Sequence, residues 1–237
     1  MLGNYFTIDG VSSRTYGLFC KQLPVYPIAM QNYNTITVGG RLANLYQAVR
    51  HYNDIQLDIE AVLIGFDIDA IVKWLSTGSK LSFSNQPDKF VMIRQLVAID
   101  QQRVGNGALE LKITLKCSPF KYRAANEKLI IYSSPEYFKT IGNIYSEPLI
   151  TAVGCTDGFT MSLNGVTIIT TGLTGDIVFD VPNRAVFQFI NGVKTVVQEY
   201  TSGNIWDLLL VPSETEYNSL VFSGAQSIEI TENERWI

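Results

Sequence analysis

The stretch that decides the fold is WLSTGSKLSFSNQPDKF, Trp74 to Phe90. The residues just before it repeat at helical spacing, whereas most of the chain around it alternates as β-strands do. The stretch itself continues into a short apolar strand and then into a turn signal of Asn, Gln, Pro and Asp. A β-rich chain that keeps one helix at this point must use the helix to cover part of a sheet.

The helix is predicted from four apolar residues at helical spacing: Ile68, Ile71, Val72 and Leu75. A carboxylate of Asp67 or Asp69 can cap the free amides of its first turn. Gly78 is well placed to end it in a left-handed conformation. Because about two turns of helix are not stable alone in water, we expect the helix to pack as a lid over one end of a sandwich.

The strands are predicted from period-two alternation of apolar and polar residues. Segments 55–63 and 109–115 alternate strictly, and the sequence Gly105-Asn106-Gly107 is a plausible hairpin turn between the second of them and the apolar run 90–99. Later in the chain, three dipeptides predict tight turns between short strands: Asp157-Gly158, Asn164-Gly165 and Asn191-Gly192. This spacing of short strands is typical of an antiparallel sandwich.

The pattern as a whole predicts a mainly β protein with two domains. We expect an N-terminal β-sandwich with one short helix at 1–125 and a second antiparallel β-sandwich at 135–237. The boundary is placed in the intervening segment because Ser133-Ser134-Pro135 breaks any strand there. The 237 residues are enough for two such domains.

Composition narrows the function classes. The formal net charge of −4 argues against binding nucleic acid by bulk charge, although it suits a surface that DNA passes without sticking. No basic flank with an apolar run opens the chain, and no apolar run reaches the ~20 residues that span a bilayer, so we expect no signal peptide and no membrane insertion. Three separated cysteines, Cys20, Cys117 and Cys155, indicate buried thiols and a reducing place of synthesis.

The sequence contains few residue patterns that are typical of a catalytic or cofactor-binding site. His51 is the only histidine of the chain, and we interpret it as a surface residue. No cysteine has a neighbour at metal-ligand spacing, so we expect neither metal nor cofactor. The carboxylate pair Asp67 and Asp69 is the one candidate for a glycosidase, and helix capping explains it as well. We therefore predict that the chain is not an enzyme.

The order of elements resembles the distal tail protein (Dit) family of long-tailed siphoviruses that infect Gram-positive bacteria. The residues that match the family pattern of a short helix, an L-x-F strand and a Pro-Asp-Lys-aromatic turn are Trp74, Leu75, Gly78, Leu81, Phe83, Pro87, Asp88, Lys89 and Phe90. The second half resembles the family's galectin-like domain, with 142–150 as its opening strand. The resemblance covers essentially the whole chain.

This resemblance implies a structural virion protein at the tail tip. Family members form a hexameric ring hub at the distal end of the tail, with the galectin-like domain on the outside. The implied partners are copies of the chain, the tail tube protein, the tail-associated tip protein and a receptor-binding protein, and DNA passes through the lumen without specific binding. The long insertions that dock large baseplates in some relatives are absent here.

For ring or tube contacts we select the stretch 31–50, the least sandwich-like part of the first half. Tyr33, Arg41 and Tyr46 are its candidate anchors, and a plain connecting hairpin is the competing interpretation. A different class of function, a carbohydrate-binding module for host-surface adhesion, stays open. It requires exposed aromatic side chains on a concave sheet face of the second domain.

Overall fold

A computed structural model describes residues 4–37, 39, 43–65, 67–105, 107–125 and 127–237. The chain divides into two compact units, one reaching Ala124 and including Ile237, the other running from Ala125 to Trp236. The protein is mainly β, with 56% of residues in strands and 9% in helices. The predicted fold class is confirmed.

The first unit is an antiparallel sheet with a separate hairpin beside it. Its strands are β1 (Phe6–Ile8), β2 (Val11–Ser12), β3 (Leu18–Cys20), β4 (Gln31–Ile36), β5 (Leu45–Tyr52), β6 (Ile55–Ile64), β7 (Lys80–Phe83), β8 (Gln86–Arg103) and β9 (Ala108–Arg123). A 3-10 turn covers Ser13–Tyr16, and helix α1 covers Ile68–Thr77. The sheet order is β2-β1-β7-β8-β9-β6-β3, and β4 pairs with β5 alone.

The predicted alternation holds in this sheet. Along β6 the residues 55, 57, 59, 61 and 63 are buried, and the residues between them are exposed or half-buried. The predicted hairpin of β8 and β9 is also present, since Arg103 pairs with Leu109 across its end. One face of the sheet therefore lies on an apolar core, and the other carries polar side chains.

Helix α1 begins as predicted. The Asp67 carboxylate accepts a hydrogen bond from the Asp69 amide at 3.1 Å. The buried face differs in one position: Ile71, Trp74 and Leu75 are buried, whereas Val72 is exposed. Trp74 lies on the buried face instead, because it follows Ile71 by three residues, and its ring stacks on Phe6 and on Tyr16.

Two details at the end of the helix correct the sequence prediction. Gly78 is not left-handed but extended, with φ −74° and ψ 148°. Its role is space, because a Cβ built on it would lie 2.1 Å from Ile8 Cγ2. The turn between β7 and β8 lies at 84–85, and Pro87 and Asp88 fall inside β8, where the ladder with β7 shifts register.

The second unit is a sandwich of two antiparallel sheets. Its strands are β10 (Lys128–Ile131), β11 (Glu136–Phe138), β12 (Leu149–Cys155), β13 (Thr160–Leu163), β14 (Val166–Thr170), β15 (Gly175–Asp180), β16 (Ala185–Ile190), β17 (Val193–Val196), β18 (Thr201–Ser202), β19 (Asn218–Ser223) and β20 (Ser227–Thr231). A two-residue strand, β21 (Arg235–Trp236), follows and belongs to neither sheet. Short 3-10 turns cover Gln198–Tyr200 and Ile205–Asp207. One sheet has the order β10-β20-β12-β15-β16-β17, and the other has β11-β19-β13-β14-β18.

One core joins the two sheets of the second unit. It contains Ile150 and Phe179 of the six-stranded sheet together with Met161 and Leu220 of the five-stranded sheet. Chain 142–148 contributes only isolated bridges, and a strand begins at Leu149, so the predicted opening strand is shorter than expected and two strands precede it.

The turns predicted in the second unit from Asn-Gly and Asp-Gly dipeptides are present in the structure. Asn164-Gly165 joins β13 to β14 and Asn191-Gly192 joins β16 to β17, with positive φ at all four residues. Asp157-Gly158 also forms a turn, but it leads from the six-stranded sheet to the five-stranded sheet instead of closing a hairpin.

Candidate functional site

The hairpin of β4 and β5, called the arm from here on, carries apolar side chains on both faces. Thr35 pairs with Tyr46, and Tyr33 lies two residues from Thr35, so the two tyrosines share one face as diagonal neighbours. Ile36 pairs with Leu45, and these two side chains occupy the other face. All four of these apolar side chains are more than 40% exposed.

The arm has no core of its own. None of its side chains that the structure describes is buried. Asn53, just after β5, exchanges side-chain hydrogen bonds with Asn32, and its amide donates to the Met30 carbonyl. An isolated two-stranded hairpin is marginally stable in water. Exposed apolar surface on such an element is typical of a protein interaction site.

The segment before the arm, residues 24–30, adds to this apolar surface and is called the strap. Val25, Ile28 and Met30 are 90%, 76% and 70% exposed, whereas Ala29 of the same segment is buried. The strap thus displays three apolar side chains immediately before the arm begins at Gln31.

Tyr26 anchors the strap to the body of the first unit. Its ring meets the Phe83 ring edge-on at 5.6 Å, and Lys121 Nζ lies 4.2 Å from its centroid. Burial raises the pKa of the Tyr26 hydroxyl above its usual range and lowers that of the Lys121 ammonium. These contacts attach the strap to the body of the first unit at Tyr26, between the exposed side chains of Val25 and Ile28.

The predicted contact residues are placed as follows. Tyr33 and Tyr46 come together on one face of the arm, whereas Arg41 lies outside the described residues. The strap residues Val25, Ile28 and Met30 were missed. A mainly apolar stretch with two prolines, residues 24–30, also fits a buried loop, so sequence alone does not reveal that these side chains face solvent.

The polar face of the first unit's sheet is the second notable surface. Lys112 pairs across the ladder with both Glu60 and Asp100, and its ammonium lies 3.3 Å from the Asp58 carboxylate. The other two lysines of this face also make ion pairs, Lys21 with Glu110 and Lys116 with Asp54. Hydrogen bonding, first from Thr114, lowers the pKa of Asp58. Carboxylates outnumber lysines here, so the face is mildly negative.

The residues that the sequence offered as candidates for catalysis or metal binding have structural roles or lie exposed on the surface. Asp67 caps α1, and His51 is an exposed residue of β5. All three cysteines are buried and outside disulfides, and burial raises the pKa of the Cys20 thiol to about 11.

Across the described residues, no cluster of three or more His, Cys, Asp or Glu side chains could hold a metal ion. Nor does any helix within the described ranges have the length and apolar character to cross a bilayer.

A surface groove of about 650 Å³ beside β1 and β7 contains one carboxylate with a defined role. Asp9 Oδ1 accepts hydrogen bonds from the Ser79 hydroxyl and the Lys80 amide, and Oδ2 accepts one from the Ser79 amide. Desolvation raises the pKa of Asp9, but these hydrogen bonds outweigh it and lower the pKa overall. Asp9 therefore ties the turn after β1 to the backbone just after α1, and its carboxylate accepts three hydrogen bonds there.

Comparison with known proteins gives one kind of match. No protein-family model and no curated protein matches the chain. Among solved structures, the chain is similar to the SPP1 Dit (gp 19.1) protein, a paradigm of the hub adsorption apparatus in phages that infect Gram-positive bacteria. The two share 15% sequence identity with a TM-score of 0.72, over 99% of each chain. Over its whole length, the chain has the fold of this Dit protein.

Proposed function

We propose that the chain is a structural, non-catalytic hub protein of a phage tail, which forms a hexameric ring at the distal end of the tail. The observation that carries the proposal is an exposed apolar arm on a chain whose fold matches a hub protein from end to end. A closed ring uses heterologous contacts, in which one flank of each copy meets a different flank of the next. The arm and strap supply one such flank.

The chemistry of the arm suits a contact between copies. Tyr33 and Tyr46 are amphipathic side chains of the kind enriched in interfaces, and Ile36 and Leu45 offer apolar area on the opposite face. Because both faces are uncovered, burying the arm requires a partner on each side of it. We assign Tyr33 and Tyr46 to this contact, and we keep Arg41, which lies between them in the sequence, as a third candidate.

The negative face of the first unit's sheet is the surface we assign to the bore of the ring. Its lysines are already paired with carboxylates, which leaves Glu60 and Asp100 as further negative charges on the face. Such a face repels phosphate and releases no counterions on contact, so DNA passes it without binding.

The remaining roles follow from the same assembly. The first unit forms the ring and joins the tail tube protein. The second unit is a galectin-like sandwich, and the tail-associated tip protein and a receptor-binding protein are the further partners. The protein then resides in the virion at the tail tip after synthesis in the host cytoplasm.

Light scattering of the purified chain, followed by negative-stain microscopy, tests the proposal. A hexamer that images as a ring with a central hole is the expected result. A chain that stays monomeric at high concentration, with no ring in the images, contradicts it.

A further inference from the structure

The free edge of strand β17, in the second unit, is apolar and uncovered. β17 is the last strand in the order of the six-stranded sheet, and among the strands that the structure describes it pairs with β16 alone. Apolar side chains of this hairpin are between 48% and 65% exposed, namely those of Phe189, Ile190, Val193 and Val196. Exposed apolar side chains beside an unpaired strand edge are typical of a surface that takes up another strand.

The register of the hairpin shows which backbone groups point away from the sheet. The Val197 amide donates to the Val186 carbonyl, and hydrogen-bonded positions alternate along an antiparallel ladder. Thr195 and Val193 therefore also bond inward, to β16. Lys194 and Val196, which alternate with them, direct their amides and carbonyls outward. The edge thus offers donors and acceptors at the spacing that another antiparallel strand requires.

β17 lacks the features that normally protect an edge strand from such pairing. It contains no proline, and its ladder with β16 runs without a register shift. The ammonium of its one charged side chain, Lys194, lies 3.8 Å from the Phe187 ring centroid. Because the ammonium is held over the face of the sheet, an extended strand can approach the edge without meeting a bulge or a charge.

A second copy of β17 fits this edge in a defined antiparallel register. If both strands bond through Lys194 and Val196, Thr195 lies on the two-fold axis, and Lys194 of each copy lies opposite Val196 of the other. The two Thr195 side chains then form a cross-strand pair, which is favourable. A register centred on Lys194 would place two like charges opposite each other. A register centred on Val196 would pair Lys194 with Gln198, which lies in a 3-10 turn.

The register centred on Thr195 also covers apolar surface. Val196 packs against the methylene stem of Lys194 from the second copy, and Val193 lies opposite Val197. A pair of four-residue strands buries less than the ~800 Å² per partner of a standard interface, so a single contact is weak. Because a two-fold contact closes after two subunits, it cannot build a ring of six and is separate from the contact made by the arm.

We infer that β17 is a docking strand for β17 of a second copy of the chain, paired antiparallel about Thr195 so that the two six-stranded sheets become continuous. The contact lies within the second unit and does not depend on the proposed hexamer. It joins free chains, or rings, in pairs.

Oxidative crosslinking of the full-length chain tests the inference. In Thr195→Cys the two new Cβ atoms are directly opposite, about 4.5–5.5 Å apart or closer, which is near the separation that a disulfide needs. Under mild oxidation with diamide, we expect a disulfide-linked dimer on a non-reducing denaturing gel. The original chain should give none, because Cys20, Cys117 and Cys155 are buried.

The matched control is Val193→Cys, on the same strand. Val193 is 65% exposed, more than Thr195, so chance collisions would crosslink it at least as fast. In the proposed register it lies opposite Val197, and the two new thiols are too far apart to form a disulfide. Val193→Cys should therefore crosslink much more slowly than Thr195→Cys.

Charge changes at position 196 identify the partner, because Val196 lies opposite Lys194 of the second copy. In the Thr195→Cys background, Val196→Glu should raise the crosslinking rate roughly fivefold, and Val196→Lys should lower it by about the same factor. Neither change should alter the slow rate of Val193→Cys.

Three outcomes would each overturn the inference: no dimer in Thr195→Cys, equal rates in Thr195→Cys and Val193→Cys, or the same response to both charges at position 196. Pairing of β17 with a different strand would give the first of these. Light scattering of the same samples under reducing conditions reports the hexamer separately, so failure of the ring and failure of the strand contact are distinguishable.

Discussion

Helix α1 and the arm are two short elements of the first unit that differ in where their apolar side chains go. The helix buries Ile71, Trp74 and Leu75, and the Trp74 ring stacks on two aromatic neighbours. The arm buries none of its described side chains. The contrast teaches that local propensity does not decide stability in either element. The helix is stabilised by packing within its own chain, whereas the described side chains of the arm stay exposed or half-buried.

Removal of the Trp74 ring should have the largest effect. Trp74→Ala leaves a cavity between Phe6 and Tyr16 and should cost about 3–5 kcal/mol of the free energy of unfolding. Urea denaturation followed by circular dichroism measures it. The control is Trp206→Ala, because that tryptophan is half exposed in the second unit. Equal losses in the two variants would contradict the role given to the helix.

Addition of one methyl group at the end of α1 should have the next largest effect. Gly78→Ala places a Cβ against Ile8 Cγ2, and overpacking of this kind costs about 1–3 kcal/mol. Gly39→Ala is the control, since nothing lies within 4 Å of the Cβ that it would add. The midpoint of urea unfolding reports the difference. A Gly78→Ala chain as stable as the control would show that Ile8 moves away freely.

Asp9→Asn should have a smaller effect, with a defined pH dependence. The folded-state pKa of Asp9 is lowered, so its contribution is fully present above the unfolded-state pKa near 3.8 and is lost as pH falls through the folded-state value. We expect a loss of about 1 kcal/mol at neutral pH, and a smaller loss in acid. Urea midpoints of the original chain and of Asp9→Asn, measured at pH 7 and at pH 3, give the two losses. Equal losses at the two pH values would contradict the role given to the Asp9 carboxylate.

Substitutions in the arm should have the smallest effect on folding and a clear effect on assembly. Tyr33→Ala combined with Tyr46→Ala should change the free energy of unfolding by no more than about 0.5 kcal/mol, because both rings are exposed. Light scattering should show that the double variant no longer forms the hexamer. Tyr132→Ala, an exposed tyrosine of the second unit, should assemble normally. A double variant that remains hexameric would move the contact away from the arm.

Local signals in the sequence predicted much of the fold. The Asn-Gly turns at 164–165 and 191–192 depend on neighbouring residues and were predicted correctly, and the cap at Asp67 is one of the two carboxylates that the sequence offered for it. Gly78 was interpreted wrongly because its partner, Ile8, comes seventy residues earlier in the chain. The Asp9 contact was missed for the same reason, since it joins residues that are distant in sequence.

The candidate surfaces were predicted less completely. Tyr33 and Tyr46 were selected from a stretch that fits the sandwich pattern poorly, but whether a side chain is exposed depends on packing, which sequence patterns do not report. The strap shows this limit, because Val25 and Ala29 lie in one apolar run and only the second is buried.

In the proposed ring, the uncovered arm would also affect how readily copies of the chain associate. An isolated two-stranded hairpin is marginally stable in water and forms in ~1–10 μs, so a copy whose arm is open would have to close it before the contact forms. The apparent affinity between copies is then reduced to the extent that the arm is open. The intrinsic strand preference of residues such as Thr35 and Val49 therefore influences how readily assembly begins, although neither residue needs to touch a neighbouring copy.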